Sequence, residues 1–312
     1  MDCPAPLLSI AEAQAPADGA AEWVEGAGAL RLRAALFPAH GAPRGSVVLS
    51  PGRTEVIEKY YEVVGELRAR GFAVLVHDWR GQGLSGRLAG DALRGHGSDP
   101  SVYMEDFRRV LDAFETRLPK PWLALGHSMG GGLTALALAR GEARFAAAVL
   151  SSPMLGLRFG APPPWLVRTL ATLFGTGPLA KAYVAGPGDP SGGDFEGNIL
   201  THDEARWHRS TALLAAHPSL RLGNITWGWL RFALGLSAEL AGRAPGPLSC
   251  PLSVVVAGEE RLVDNAAARA FAAKVEGAHL YEIDGAFHEI LMETDPLRAR
   301  FWAVFDAAAA GL

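Results

Sequence analysis

The run Trp122-Leu123-Ala124-Leu125-Gly126-His127-Ser128-Met129-Gly130-Gly131-Gly132 carries an apolar segment through G-x-S-x-G and on into Leu133-Thr134-Ala135-Leu136-Ala137-Leu138-Ala139. It predicts a strand, a sharp turn and a helix. A serine on such a turn is held in a strained backbone conformation, and the positions two residues either side of it must be small because side chains there would collide. Gly126 and Gly130 fill those positions. This turn, a nucleophile elbow, lifts the Ser128 hydroxyl above the sheet. It also aims the first amides of the following helix, that of Met129 foremost, at any negative charge forming beside the hydroxyl. The alternative reading is a tight turn whose glycines only let helix and strand cross closely.

Outward from this point the chain alternates. Short apolar runs bounded by turn residues lie at Ser46 to Leu49, Ala73 to His77, Ala147 to Leu150, Leu252 to Ala257 and His279 to Ile283. Such runs suit strands buried on both faces. Helical patterns fall between them at Val56 to Arg70, Val102 to Leu118, Met129 to Arg140 and Asn265 to Val275, with a last helix from Pro296. Strand alternating with helix predicts an α/β fold with a doubly wound, mostly parallel sheet. Upstream, Glu22-Trp23-Val24 and Leu30 to Phe37 flank Gly26-Ala27-Gly28 and predict a hairpin.

The alternation breaks between Pro153 and Gly246, which are rich in Pro and Gly and offer helical stretches at Trp165 to Phe174, Asp203 to Ala216 and Thr226 to Leu240. The expected organisation is therefore a flexible N-terminus over 1–20, a core built from 21–152 and 247–312, and a helical cap over 153–246. The stretch Trp227-Gly228-Trp229-Leu230-Arg231-Phe232 is apolar nearly all round a helix and needs partners on more than one side. It packs the cap on the core, or it walls an acyl-chain pocket with Trp227, Trp229 and Leu230, or both. No acidic residue occurs between Glu142 and Asp189, whereas Arg144, Arg158, Arg168 and Lys181 do. That composition suits transient contact of the cap with an anionic lipid surface, against the plainer reading of a solvated loop region.

Composition narrows the class. Hydrophobic residues are 49% and charged residues 20% of 312, with a formal net charge of −4, so no basic groove for a nucleic acid is expected. Cys3 and Cys250 lie far apart, and a structural disulfide is not expected, which fits a reducing compartment. The start, Met1-Asp2-Cys3-Pro4-Ala5-Pro6, lacks the basic and apolar regions of an export signal. The uncharged run from Pro121 to Ala139 has the length of a membrane span but contains the elbow glycines, and it is read as core. A cytoplasmic protein is expected, peripheral at the inner membrane surface if the cap meets lipid.

A serine hydroxyl needs a base to take its proton, a group to orient the base, and donors for the oxyanion. On a sheet with this elbow the acid and then the histidine follow later in the chain, each after a strand. Of nine histidines, His288 follows the last expected strand, in Ile283-Asp284-Gly285-Ala286-Phe287-His288-Glu289. The others, His77, His96 and His127 among them, show no ligand-like spacing, so neither a metal nor any other cofactor is expected. The strand ending at Ala257 runs into Gly258-Glu259-Glu260-Arg261-Leu262-Val263-Asp264-Asn265. Asp264 precedes a helix and is explained as its N-cap, so Glu260 is favoured as the acid, with Asp264 the alternative. The second oxyanion donor is expected in Ser50-Pro51-Gly52-Arg53-Thr54, after the strand Ser46 to Leu49, as the amide of Arg53. Its side chain is also a candidate partner for an anionic headgroup.

Four segments together resemble the α/β-hydrolase-fold serine hydrolases that include monoacylglycerol lipases and bacterial lysophospholipases. They are Pro51-Gly52-Arg53, His77-Asp78-Trp79-Arg80-Gly81-Gln82-Gly83-Leu84-Ser85, Gly126 to Gly130, and Gly285-Ala286-Phe287-His288-Glu289-Ile290-Leu291. The resemblance implies hydrolysis of the carboxylic ester of a single-chain lipid under a mobile helical cap. Pro51-Gly52 stands where many relatives carry His-Gly, which points to the lysophospholipase branch. Relatives place the triad acid directly before Arg, the position of Glu260 here. The expected activity is a cofactor-free serine esterase acting on lysophospholipids or monoacylglycerols. The same triad would serve a carboxylesterase of small soluble esters, and a binding module on this fold is the reading from another class. Haloalkane dehalogenases and epoxide hydrolases place Asp at the nucleophile position, which Ser128 disfavours.

Overall fold

The computed structural model describes residues 4–97, 99–160, 162–186, 188, 193–242 and 248–312. Cys3, Asp189 and the expected boundary of the cap at 246 and 247 lie outside the described residues. Nine strands form one sheet: β1 (Pro4–Ala5), β2 (Ala20–Glu25), β3 (Arg31–Phe37), β4 (Gly45–Ser50), β5 (Phe72–His77), β6 (Trp122–His127), β7 (Phe145–Ser151), β8 (Leu252–Ala257) and β9 (His279–Ile283), in the order β1-β2-β3-β5-β4-β6-β7-β8-β9. From β5 to β9 every pairing is parallel, whereas β1, β2 and β3 add antiparallel strands at one edge.

The apolar runs are strands because both of their faces are covered. In β4, Val48 packs into one core layer while Val47 and Leu49 enter the other. Trp122 and Ala124 of β6 and Val254 and Val256 of β8 likewise face the first layer, and their neighbours Leu123, Leu125 and Val255 the second. This period of two with both faces buried leaves no polar positions to show alternation in the sequence. The first layer is closed by α2 (Pro100–Phe114), α3 (Ser128–Ala139) and α7 (Asn265–Ala272), and the second by α1 (Tyr61–Ala69) and α8 (Asp295–Ala309). Each fully buried Leu, Val or Phe on these layers contributes about 1.5–3 kcal/mol against exposure.

Between β7 and β8 run α4 (Pro164–Phe174), α5 (Glu204–Ala216) and α6 (Trp227–Gly242), where the sequence predicted helices. Helix α6 lies over α3: Leu236 and Ala233 are buried in the same layer as Leu133 and Leu136. Pro121 to Ala139 forms β6 and α3. Among the described residues no helix is long and apolar enough to cross a membrane.

The start of the chain, expected to be flexible, makes contacts with the body from Pro4 onward: Pro4 and Ala5 pair with Glu22 and Ala21, and the Arg33 guanidinium donates to the Pro6 carbonyl. The Leu8 amide donates to Glu58, and the Tyr61 hydroxyl donates to the Leu8 carbonyl. These anchors are tertiary. A Pro/Ala-rich segment carries no local pattern that would reveal them.

Candidate active site

Strand order reverses about β4, with β5 on one side and β6 on the other, so the loops leaving the C-terminal ends of β4 and β6 diverge and leave a crevice. Ser128 stands in that crevice. It is a non-glycine residue at φ 51°, in the left-handed region, and α3 begins with it. A Cβ at Gly130 would run into the carbonyl oxygens of Ser50 and Pro51, so only glycine lets α3 pass this close to the end of β4.

His288, on the loop after β9, closes the constellation. Its Nε2 lies 2.8 Å from Ser128 Oγ and its Nδ1 2.7 Å from Glu260 Oε2. Glu260 is held from its other side, where Oε1 accepts the amides of Arg261 at 2.9 Å, Leu262 at 2.7 Å and Val263 at 3.2 Å. Burial alone would raise this carboxyl. The bond and charge of His288, with the Leu262 and Val263 amides, outweigh it and hold the group below its ordinary range. Asp264 is elsewhere: its Oδ1 accepts the Ala266 amide at 2.9 Å as the N-cap of α7. The structure thus joins Ser128, His288 and Glu260 and leaves Asp264 outside.

The loop Pro51 to Thr54 faces Ser128 across the crevice. Gly52 cannot donate to an oxyanion, because its amide already donates to Glu55 Oε2, which also accepts the Tyr60 hydroxyl. Arg53, the next residue of this loop, lines the same cavity as Ser128. Two residues of the second quoted segment clamp this loop from below: Trp79 Nε1 donates to the Pro51 carbonyl at 2.8 Å and Gln82 Nε2 to the Gly52 carbonyl at 2.8 Å. The sequence drew attention to that segment without giving Trp79 or Gln82 a task. Pairing of an indole and an amide side chain with a glycine loop distant in sequence has no local signature. Asp78 of the same segment is structural, since it pairs with the fully buried Arg33, which also binds Glu58 at 2.6 Å. His77 is buried against Trp79 and Phe107, and burial brings its pKa down to about 3. His127 packs 5.0 Å from the His288 ring, and its burial likewise lowers its pKa.

Above Ser128 lies a cavity of about 510 Å³. Its floor is Ser128, His288 and the Gly52–Arg53 loop, and its walls are apolar: Met154, Leu157, Phe159, Val167, Val184, Ile225, Trp229 and Leu230. Trp229 and Leu230 line this cavity. Trp227 does not line it: it turns to Phe174 of α4, with ring centroids 5.3 Å apart, and packs among the helices between β7 and β8. An all-round apolar helix does not disclose which face meets the core. Among the described residues no group of three or more His, Cys, Asp or Glu side chains is placed to hold a metal ion.

Comparison with known proteins agrees with this architecture. A family model described as Serine aminopeptidase, S33 (Hydrolase_4) matches residues 41–295. The chain is 35% identical over 266 residues to Lysophospholipase L2 of Escherichia coli (strain K12), covering 81% of this chain and 76% of that protein. It is 32% identical over 273 residues to Monoacylglycerol lipase of Mycolicibacterium smegmatis, covering 86% of this chain and 90% of that one. Among solved structures, a soluble variant of monoglyceride lipase from Saccharomyces cerevisiae in complex with a substrate analogue superimposes with a TM-score of 0.72 at 19% identity, covering 98% and 97% of the two chains, a likeness of fold. With the elbow on a doubly wound sheet and a family match running from before β4 to the start of α8, the chain belongs to the serine aminopeptidase S33 (Hydrolase_4) family of α/β-hydrolase-fold proteins.

Proposed function

We propose that the protein is a serine esterase that cleaves the carboxylic ester of a single-chain lipid, a lysophospholipid or a monoacylglycerol, through an acyl-enzyme. Ser128 Oγ attacks the ester carbonyl as His288 Nε2 takes its proton, and Glu260 steadies the imidazolium through Nδ1. The carbonyl oxygen becomes an oxyanion facing the Arg53 and Met129 amides. Collapse expels the alcohol, which leaves with the proton from His288. Water then attacks the acyl-Ser128 ester, gives a proton to His288, and the fatty acid departs as Ser128 regains its hydrogen. The observation that carries the reading is the Ser128–His288–Glu260 chain of bonds at the floor of an apolar cavity wide enough for an acyl chain. The names of the relatives support the lipid class, and the apolar walls favour it over small soluble esters.

The test is a panel of lysophosphatidylcholine, monoacylglycerol and short-chain esters with the purified protein and its Ser128→Ala variant. Hydrolysis that rises with acyl length and vanishes in the variant is expected. A steady fall with length, or retained activity in Ser128→Ala, would overturn the reading.

The cap offers a way to reach such lipids. Trp165 is 67% exposed, Leu173 64% and Leu179 54%, with the exposed cations Arg168 and Lys181 nearby in sequence. Arg144 and Arg158 do not join them: Arg144 pairs with Glu142 and Asp112, and Arg158 donates to the Glu260 carbonyl. The exposed set supports transient docking on anionic bilayers. Co-sedimentation with phosphatidylglycerol vesicles, lost on Trp165→Ser with Leu173→Ser, tests it.

A further inference from the structure

A second chamber of about 190 Å³ adjoins the apolar cavity and shares Arg53, Thr54, Leu200 and Glu289 with it. Its remaining walls are mixed: Ser210, Thr211 and Asn224 bring polar groups, while Val56, Trp207 and Leu213 are apolar. Two cations border it. Lys59 is committed, with Nζ 2.9 Å from Glu55 Oε1 and 2.6 Å from Glu289 Oε1.

Arg53 is in a different position. Among the described residues it has no carboxylate partner, and its one acceptor is the carbonyl of Gly223, bonded through Nη2. Its guanidinium lies over the Trp229 ring, with Cζ 5.3 Å from the centroid, and its Nε is buried without a partner. Arg53 is half-buried rather than fully withdrawn from water, and with no counter-anion beside it that burial brings its pKa down to about 10. The residue sits at the junction of the two chambers, one residue beyond Gly52. An anion carried by the substrate on the alcohol side of the ester would supply what the protein withholds.

We propose that the Arg53 side chain is the phosphate-recognising group of a headgroup subsite. The acyl chain occupies the larger cavity, the ester carbon lies at Ser128, and the phosphate of a lysophospholipid enters the smaller chamber to pair with Arg53. Guanidinium and phosphate match in charge and in donor geometry, and Trp229 keeps the guanidinium plane fixed. The inference rests on the reading of the chain as a single-chain lipid esterase and selects, within it, the phosphate-bearing substrate.

The experiment compares kcat/KM for lysophosphatidylcholine with kcat/KM for the monoacylglycerol of the same acyl chain, in the wild type, Arg53→Met and Arg53→Lys, with fluorophosphonate labelling of Ser128 reporting a folded site. The ratio is expected to fall roughly 10- to 100-fold in Arg53→Met and to recover in part in Arg53→Lys. Equal losses on both substrates would overturn the subsite while leaving the esterase reading intact. A wild type that hydrolyses neither lipid would remove that reading and the inference with it. Should Arg53→Met fail to fold, inhibition of wild-type p-nitrophenyl butyrate hydrolysis decides: glycerol 3-phosphate is expected to compete at least about tenfold better than glycerol. Equal competition by the two, or inorganic phosphate competing as well as glycerol 3-phosphate, would overturn the headgroup assignment.

Discussion

Glu260 gives its two carboxylate oxygens separate tasks with respect to His288: Oε2 accepts from Nδ1 at 2.7 Å, while Oε1 is fixed by three consecutive amides of its own loop. The imidazole therefore leans on a carboxylate that cannot rotate. Glu260→Gln keeps the size and loses the charge, and it lets the amide nitrogen face Nδ1, which favours the wrong tautomer. A fall in kcat of roughly 10³- to 10⁴-fold with little change in KM is expected. Asp264→Ala tests the competing assignment. It removes a cap from α7 and should cost about 1 kcal/mol in urea unfolding with kcat within a factor of about 2. The reverse pattern would transfer the role to Asp264.

The elbow stores strain that function requires. Ser128 at φ 51° is a conformation glycine adopts freely and serine does not. Ser128→Gly should abolish ester hydrolysis and yet raise stability by about 1 kcal/mol, measured by chemical denaturation. Gly130→Ala runs the other way. Its new methyl group meets backbone oxygens of Ser50 and Pro51, which cannot swing aside, and a loss of about 2–4 kcal/mol is expected.

The oxyanion loop is rigid only as far as its clamps hold it. Gln82 binds the Gly52 carbonyl at 2.8 Å through Nε2 and the Thr54 amide at 3.3 Å through Oε1, spanning both sides of Arg53. Gln82→Ala would free the Arg53 amide, the proposed oxyanion donor, to wander. Loss of a whole oxyanion donor costs about 10²- to 10³-fold in kcat, so a misplaced one should cost roughly 10- to 100-fold with KM nearly unchanged. A change confined to KM would mean that Gln82 shapes substrate binding instead.

What the sequence disclosed follows from how local each cause is. The strand, turn and helix around Ser128 are encoded within the segment itself, since apolar residues and glycines at fixed offsets leave few other backbones. Glu260 could be preferred to Asp264 because a helix N-cap is a local explanation for Asp264, and the Ala266 bond shows it in that task. The contacts of the start of the chain are not legible, because Pro4, Pro6 and Leu8 meet Glu22, Arg33 and Glu58, which no pattern within 1–20 indicates. The choice for Trp227 between packing and lining the cavity stays open in the sequence for a similar reason. Its helix is apolar on every side, and only packing against Phe174 decides where that ring goes.

Acid should loosen the protein through two carboxylates beside the site and the cap. Glu55 is buried, which alone would raise it, but Lys59 and His127 bring it down to about 2. Glu62, also opposed by burial, is held at about 2 by Arg206, Arg209 and Arg298, joining α5 to α1 and α8. Because both folded values lie below the ordinary carboxylate range, the stability they provide is fully present above about pH 4.5 and is lost as pH falls toward 2. In Glu55→Gln the slope of unfolding free energy against pH over that window should shrink. An unchanged slope would mean that Glu55 titrates normally in the folded protein.

The cavity walls make acyl length the quantity to measure. Leu157 is half-buried, lines the 510 Å³ cavity and pairs through its backbone with Val263, so its position is fixed while its side chain has room to change. Leu157→Trp takes space from the chamber at small cost to the core. A 16-carbon chain would then have to leave several methylenes in water, and each methylene denied burial weakens binding by about 0.8 kcal/mol, close to fourfold. The ratio of kcat/KM for a 16-carbon to a 4-carbon ester should therefore fall by at least roughly tenfold. An unchanged ratio would place the acyl chain outside this chamber and leave the smaller one beside Arg53 without a neighbour for the tail of its ligand.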